Sequence, residues 1–311
     1  MNASNSAQPR LNYVSCLSPA GLHRMAYWEW GDPDNDKVLL CVHGLTRTGR
    51  DFDALARRLC EEYRVVCPDV VGRGKSDWLS EAAYYIVPQY VNDMVTLLGH
   101  LNARELHWFG TSMGGLIGMT LAGLPGASVG AQGQGADAAL LAAPVSRMIL
   151  NDVGPVLQVQ AIARIGEYLS DAADFASFDE ATAYIRRVAA AFGPHTDAQW
   201  RELTQHVVRE EGGRWRKHYD PALATPFAMS SPALVSAGEA ILWRSFENIA
   251  CPLLIVRGSL SDLLSVDTAQ EMLRRNPNAS LAEIAGVGHA PTFMTDDQIE
   301  LAAEFLLRNK H

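Results

Sequence analysis

The stretch Leu106-His107-Trp108-Phe109-Gly110-Thr111-Ser112-Met113-Gly114-Gly115-Leu116-Ile117-Gly118-Met119 decides how this chain is read. An apolar run stops at Gly110, and small and apolar residues at helical spacing begin just past Ser112. Gly-x-Ser-x-Gly between them is what a sharp strand-to-helix turn needs. Glycines on either side of the serine remove the Cβ atoms that would clash as the chain doubles back, and the hydroxyl is left at the tip. In a chain with 25 glycines the pattern alone is weak, so the weight falls on its neighbours.

Working outward, strand and helix signals alternate. Strand patterns fall at 11–18, 22–30, 38–42, 64–71, 105–109, 146–151, 253–256 and 279–284. The run 38–42 is apolar at every position, as a strand buried on both faces must be. Helical patterns follow at 50–62, at 88–101 behind Pro88, after Ser112, after Ser265 and from the Thr295-x-x-Gln298 box to Arg308. This alternation predicts an α/β fold with a mostly parallel eight-stranded sheet flanked by helices.

Two segments break the rhythm. Residues 126–135 are glycine-rich and of low complexity; they read as a surface excursion, since no Gly-x-Gly-x-x-Gly follows a strand there. From Asn151 to about Ser236 the strand signal disappears and three helical patterns take over. The first carries Val156, Val159 and Ala163, the second opens on Ser177-x-x-Glu180, and the third opens on Thr196-x-x-Gln199. Helices inserted between strands predict a lid over one end of the sheet. The division is a core domain of 1–150 and 237–311 and a helical cap of 151–236.

Composition narrows the class. With 311 residues, 48% hydrophobic and 20% charged, the chain can bury a large core. A formal charge of −9 argues against a nucleic-acid or anionic-membrane surface. The longest basic cluster, Arg214-Trp215-Arg216-Lys217, reads as solvating a loop. Cys16, Cys41, Cys60, Cys67 and Cys251 have neither metal-ligand nor disulfide-framework spacing, which predicts buried reduced thiols in a cytoplasmic protein. No run reaches the ~18 apolar residues of a membrane span, and the first ten residues are polar without an apolar signal core.

Nucleophilic hydrolysis needs a hydroxyl, a base, a group to hold the base, and donors for the oxyanion. Candidates for each follow a predicted strand, at the edge where ligands bind in open α/β sheets. Ser112 is the nucleophile and His289, in a glycine-flanked loop after the last strand, the base. Asp262 is the carboxylate chosen to orient His289, with Asp267 and Asp152 as rivals; Asp267 has a helix-dipole explanation. The oxyanion donors are the backbone N–H groups of Met113 and of Leu45, in a loop that His43-Gly44 shapes.

Together these residues resemble the α/β-hydrolase superfamily. The order Ser112…Asp262…His289, the His43-Gly44 loop, the Gly110-x-Ser112-x-Gly114 turn and Pro68-Asp69-Val70-Val71-Gly72-Arg73-Gly74-Lys75-Ser76 carry the resemblance, over about 20–308. Leu150-Asn151-Asp152-Val153-Gly154-Pro155 is similar to the branch with a helical cap, which holds carboxylesterases, lactonases and hydrolases of meta-cleavage products. In the family the acid usually falls three residues after the strand-ending glycine, whereas Asp262 falls four after Gly258. The resemblance implies a serine esterase without cofactor or metal, a monomer or homodimer acting on a small or medium carboxylic ester. Apolar residues of the cap are available for its pocket: Trp200, Trp215, Phe192, Phe227 and Met229. Carbon–carbon hydrolysis with the same triad, or a ligand receptor on the same fold, are the alternatives.

Overall fold

The computed structural model describes residues 8–124, 144–156, 169, 171 and 173–308. In chain order the strands are β1 (Arg10–Ser18), β2 (Gly21–Trp30), β3 (Lys37–Val42), β4 (Arg64–Pro68), β5 (Glu105–Thr111), β6 (Val145–Asn151), β7 (Asp174–Phe175), β8 (Val208–Glu211), β9 (Arg214–Lys217), β10 (Leu253–Gly258) and β11 (Ala279–Ile284). Eight of them form one sheet in the order β1-β2-β4-β3-β5-β6-β10-β11. From β4 to β11 neighbouring strands are parallel, and β2 pairs antiparallel with both β1 and β4.

The apolar run at 38–42 shows why the sheet sits where it does. Successive side chains of a strand point to opposite faces. Val38, Leu40 and Val42 accordingly enter one hydrophobic cluster, with Met94 and Leu97 of the helix Val87–Leu101 and Ile117 of the helix Met113–Ala122. Leu39 and Cys41 enter the other, with Leu55 and Leu59 of the helix Asp53–Leu59 and with Ile299 and Phe305 of the helix Asp296–Leu307. Each large side chain so buried contributes about 1.5–3 kcal/mol. A sheet covered on both faces leaves only its ends open to a ligand.

The insert between β6 and β10 differs from the sequence expectation. It contains strands: β7, β9 and β8 form a separate antiparallel sheet. The basic cluster Arg214-Trp215-Arg216-Lys217 is β9 and not a solvated loop. Glu211 pairs with Arg214, so Gly212-Gly213 is a two-residue hairpin turn with φ of 60° and 75°. Both residues must be left-handed in such a turn, which selects glycine. Helix Phe178–Val188 packs with this sheet around Phe175, Ile185 and Val208, and helix Asp197–Gln205 lies against that helix. Thr196 and Gln199 make a complete capping box. Ser177 caps its helix, but the Glu180 carboxylate turns back to the Ala176 N–H instead of the Ser177 one. Helix Pro232–Glu247 runs through the expected boundary at 236–237. Val159 and Ala163, and the glycine-rich 126–135, lie outside the described residues.

All five cysteines are buried, unlinked thiols. Among the described residues no helix is long and apolar enough to cross a membrane.

Candidate active site

Strand β5 ends at Thr111, the helix Met113–Ala122 begins two residues later, and Ser112 between them takes φ 51°. The flanking glycines are needed for contact. A Cβ on Gly110 would lie 2.4 Å from the Gly114 carbonyl oxygen, and one on Gly114 would lie 2.0 Å from that of Val42. The turn is closed by backbone bonds from Gly115 and Leu116 to the Ser112 carbonyl and from the Ser112 N–H to Asn151.

His289 follows β11 and reaches Ser112 across the strand ends, with Nε2 2.8 Å from Ser112 Oγ. Its Nδ1 lies 2.7 Å from a carboxylate oxygen of Asp152. An Nδ1–H donated to Asp152 leaves the Nε2 lone pair facing the serine hydroxyl, the arrangement a general base requires. Asn151 braces the group: its amide donates to Thr111 Oγ1 and to the Pro291 carbonyl, joining the serine turn to the histidine loop.

The carboxylate on His289 is therefore Asp152, and the choice of Asp262 is corrected. Asp152 directly follows β6, neighbour of β5 and β10, so its side chain starts between the serine turn and the β10 end. It is fully buried and accepts from the Gly258 N–H at 2.9 Å and the Ser261 hydroxyl at 2.6 Å. The residue three after Gly258, where the family usually carries its acid, is Ser261, and its hydroxyl supports the carboxylate supplied by β6. Asp262, one position further on, is exposed and lines the cavity, while the carboxylate bonded to His289 Nδ1 is that of Asp152. Asp267 lies in the first turn of the helix Val266–Arg275, as its helix-dipole reading requires.

Met113 is the first residue of its helix, where N–H groups have no intrahelical acceptor. Leu45 lines the cavity beside Gly44. The loop that carries Leu45 is held by His43, whose Nε2 accepts from the Val70 N–H at 2.9 Å while Nδ1 meets the Gly44 carbonyl at 2.6 Å. Burial pushes the His43 imidazole down to about 3, so it stays neutral and structural.

A cavity of about 650 Å³ opens over Ser112 and His289. Leu45, Phe52 and Phe293 line its sheet side, and Ile185, Phe192 and Leu203 its insert side, with Arg47, Asp51 and Asp171 as polar patches. Of the five cap residues offered by the sequence, only Phe192 lines it; Trp200 is buried and Met229 is 64% exposed. The insert is fastened to the histidine loop by Gly288 N–H to Ala191 and by His195 Nε2 to Thr292 Oγ1 at 2.8 Å.

Outside the cavity, Cys16, His23 and Asp93 form the one trio among the described residues with metal-ligating atoms close together. His23 Nε2 and Gln89 Nε2 already meet the two Asp93 carboxylate oxygens, at 3.1 and 2.8 Å, so the trio is accounted for as a buried hydrogen-bond network.

Comparison with known proteins bears on the family and the fold. The sequence model of the alpha/beta hydrolase family matches residues 39–304. A 3-hydroxybutyrate-oligomer hydrolase of Cupriavidus necator is 54% identical over 304 residues, covering 96% of this chain and 98% of its own. A crystal structure from Rickettsia typhi superposes with a TM-score of 0.82 at 28% identity, covering 97% of this chain and 100% of the other. An alpha/beta hydrolase from Novosphingobium aromaticivorans gives 0.79 at 30% identity, covering 97% and 99%.

Proposed function

The chain belongs to the alpha/beta hydrolase family, and from that premise we propose that it is a serine esterase whose substrates are short linear oligoesters of small hydroxy acids. The observation that carries the chemistry is the continuous hydrogen-bond chain from Ser112 Oγ through His289 to Asp152, at 2.8 and 2.7 Å. Ser112 attacks the ester carbonyl carbon as its proton passes to His289 Nε2. The Met113 and Leu45 N–H groups take the oxyanion, and the imidazolium returns the proton to the departing alkoxide. Water activated by the same imidazole then releases the acid from Ser112. Asp152 holds the ring and stabilises its positive form.

The oligoester substrate is supported by the 54% identity with the 3-hydroxybutyrate-oligomer hydrolase across nearly the whole of both chains. Cavity size agrees, since about 650 Å³ lies mid-range for pockets that enclose a ligand. Segment 151–236 acts in this reading as the cap over the substrate.

Purified protein should release 3-hydroxybutyrate from its linear dimer and trimer and turn over p-nitrophenyl butyrate. Ser112→Ala should lower kcat for both by on the order of 10⁴-fold or more. Full turnover by Ser112→Ala would sink the serine mechanism; turnover of the aryl ester without any oligomer cleavage would sink the substrate class alone.

A further inference from the structure

Arg73 lies in the turn after β4 and is 0% exposed. Its guanidinium is placed unusually for a buried cation, because among the described residues no Asp or Glu forms an ion pair with it. Nε donates to the Leu45 carbonyl at 2.8 Å and Nη1 to the Val71 carbonyl at 2.7 Å, while Nη2 meets Met113 Sδ at 3.4 Å. The Tyr90 ring lies 4.9 Å from its central carbon. Burying a cation without a counter-ion is costly, and two of the three groups that receive its donors belong to Leu45 and Met113, the residues assigned above as oxyanion donors.

Peptide planarity says what these contacts do. The Leu45 N–H is anti to the Gly44 carbonyl, which His43 Nδ1 and the Arg47 N–H engage at 2.6 and 3.1 Å. The next peptide is fixed by Arg73 through the Leu45 carbonyl, so both peptide planes flanking Leu45 are held through their carbonyls. Arg73 also fixes the Met113 side chain at the start of the helix. Its unneutralised charge contributes, after burial, to holding the neighbouring His43 imidazole neutral.

We propose that Arg73 is the positioning residue of the oxyanion site: it holds the peptide of Leu45 and the side chain of Met113 from behind, and leaves a positive charge behind the two amides. This rests on the serine-esterase reading. Charge accumulates on the carbonyl oxygen only in the tetrahedral state, so a fixed cation behind the donors favours that state over bound ester.

The test compares Arg73→Met and Arg73→Lys with wild type on p-nitrophenyl butyrate. It also measures affinity for an alkyl trifluoromethyl ketone, which forms an anionic adduct on the serine, and for the matching methyl ketone. Arg73→Met should lower kcat about 10²-fold with KM within threefold, and weaken the trifluoromethyl ketone by a similar factor while leaving the methyl ketone unchanged. Wild-type kcat and trifluoromethyl ketone affinity in a folded Arg73→Met protein overturn the proposal, as does equal weakening of both ketones. If Arg73→Met does not fold, Arg73→Lys decides. It keeps the charge but cannot reach all three acceptors, so kcat should fall about tenfold at unchanged KM, and wild-type kcat overturns the proposal. Absence of ester turnover in wild type instead overturns the serine-esterase reading.

Discussion

Asp152 takes φ 54°, a left-handed backbone that aspartate tolerates better than most residues, and this conformation turns its carboxylate under His289. Replacing it tests the correction to the sequence reading. Asp152→Asn keeps the shape but can reverse the imidazole tautomer, so kcat on p-nitrophenyl butyrate should fall by on the order of 10³- to 10⁴-fold, while Asp262→Asn keeps kcat within a few-fold. A larger loss in Asp262→Asn than in Asp152→Asn would restore the original assignment. Ser112 and His289 were legible because each is fixed by local chain geometry: a glycine-flanked turn for one, a glycine-flanked loop for the other. The acid was not, since Asp152 and Asp262 both follow strands ending on the same edge, and the choice depends on how β6 and β10 sit side by side. One signal pointed the right way. Asp262 is a residue late in its loop, and Ser261 holds the expected place. Arg73 carried no sequence signal, because burial of a charged residue inside a polar turn is a tertiary fact.

At the scale of elements, periodicity located all eight strands of the main sheet to within a few residues, because burial on one or both faces writes itself into apolar spacing. The hairpin β8–β9 was missed, although Gly212-Gly213 is a two-residue turn signal, because charged residues such as Arg209, Glu210, Glu211 and Arg214 give no apolar period. Two glycines give opposite expected outcomes. Gly213 has φ 75°, where an L side chain costs roughly 1–2 kcal/mol, so Gly213→Val should lower the unfolding free energy by about that amount. Gly99 is exposed inside the helix Val87–Leu101, and an added Cβ would meet nothing within 4 Å. Gly99→Ala should stabilise by about 0.5–1 kcal/mol through helix propensity. Urea unfolding of both variants reads the signs directly; a stabilising Gly213→Val would contradict the turn.

Across the whole molecule, the seam between the insert and the sheet is also where acid should act. Burial pushes His43 down to about 3, and burial, with Arg50 and Lys75 as the next causes, pushes His206 and His218 down to about 4. These groups sit at joins. The His218 carbonyl accepts from Gly74, Arg73 bridges to Tyr219, and Arg47 donates from the oxyanion loop to the Leu203 carbonyl of the insert at 2.8 Å. A histidine whose folded value is depressed contributes stability that is present above its unfolded value near 6.5 and is lost as pH falls toward the folded value. Asp69 opposes them. Burial raises it to about 6 against its bonds from the Lys75 and Gly49 N–H groups, so its contribution to folding grows as pH falls from there toward its unfolded value. The depressed histidines, His195 among them, outnumber Asp69, so unfolding takes up protons as pH falls from about 6.5 and stability falls with it. Thermal unfolding should therefore show Tm falling steadily from pH 6.5 to 4.5, and His218→Gln should flatten the fall. A Tm that stays level or rises over that range would mean that these imidazoles are not held neutral in the folded chain.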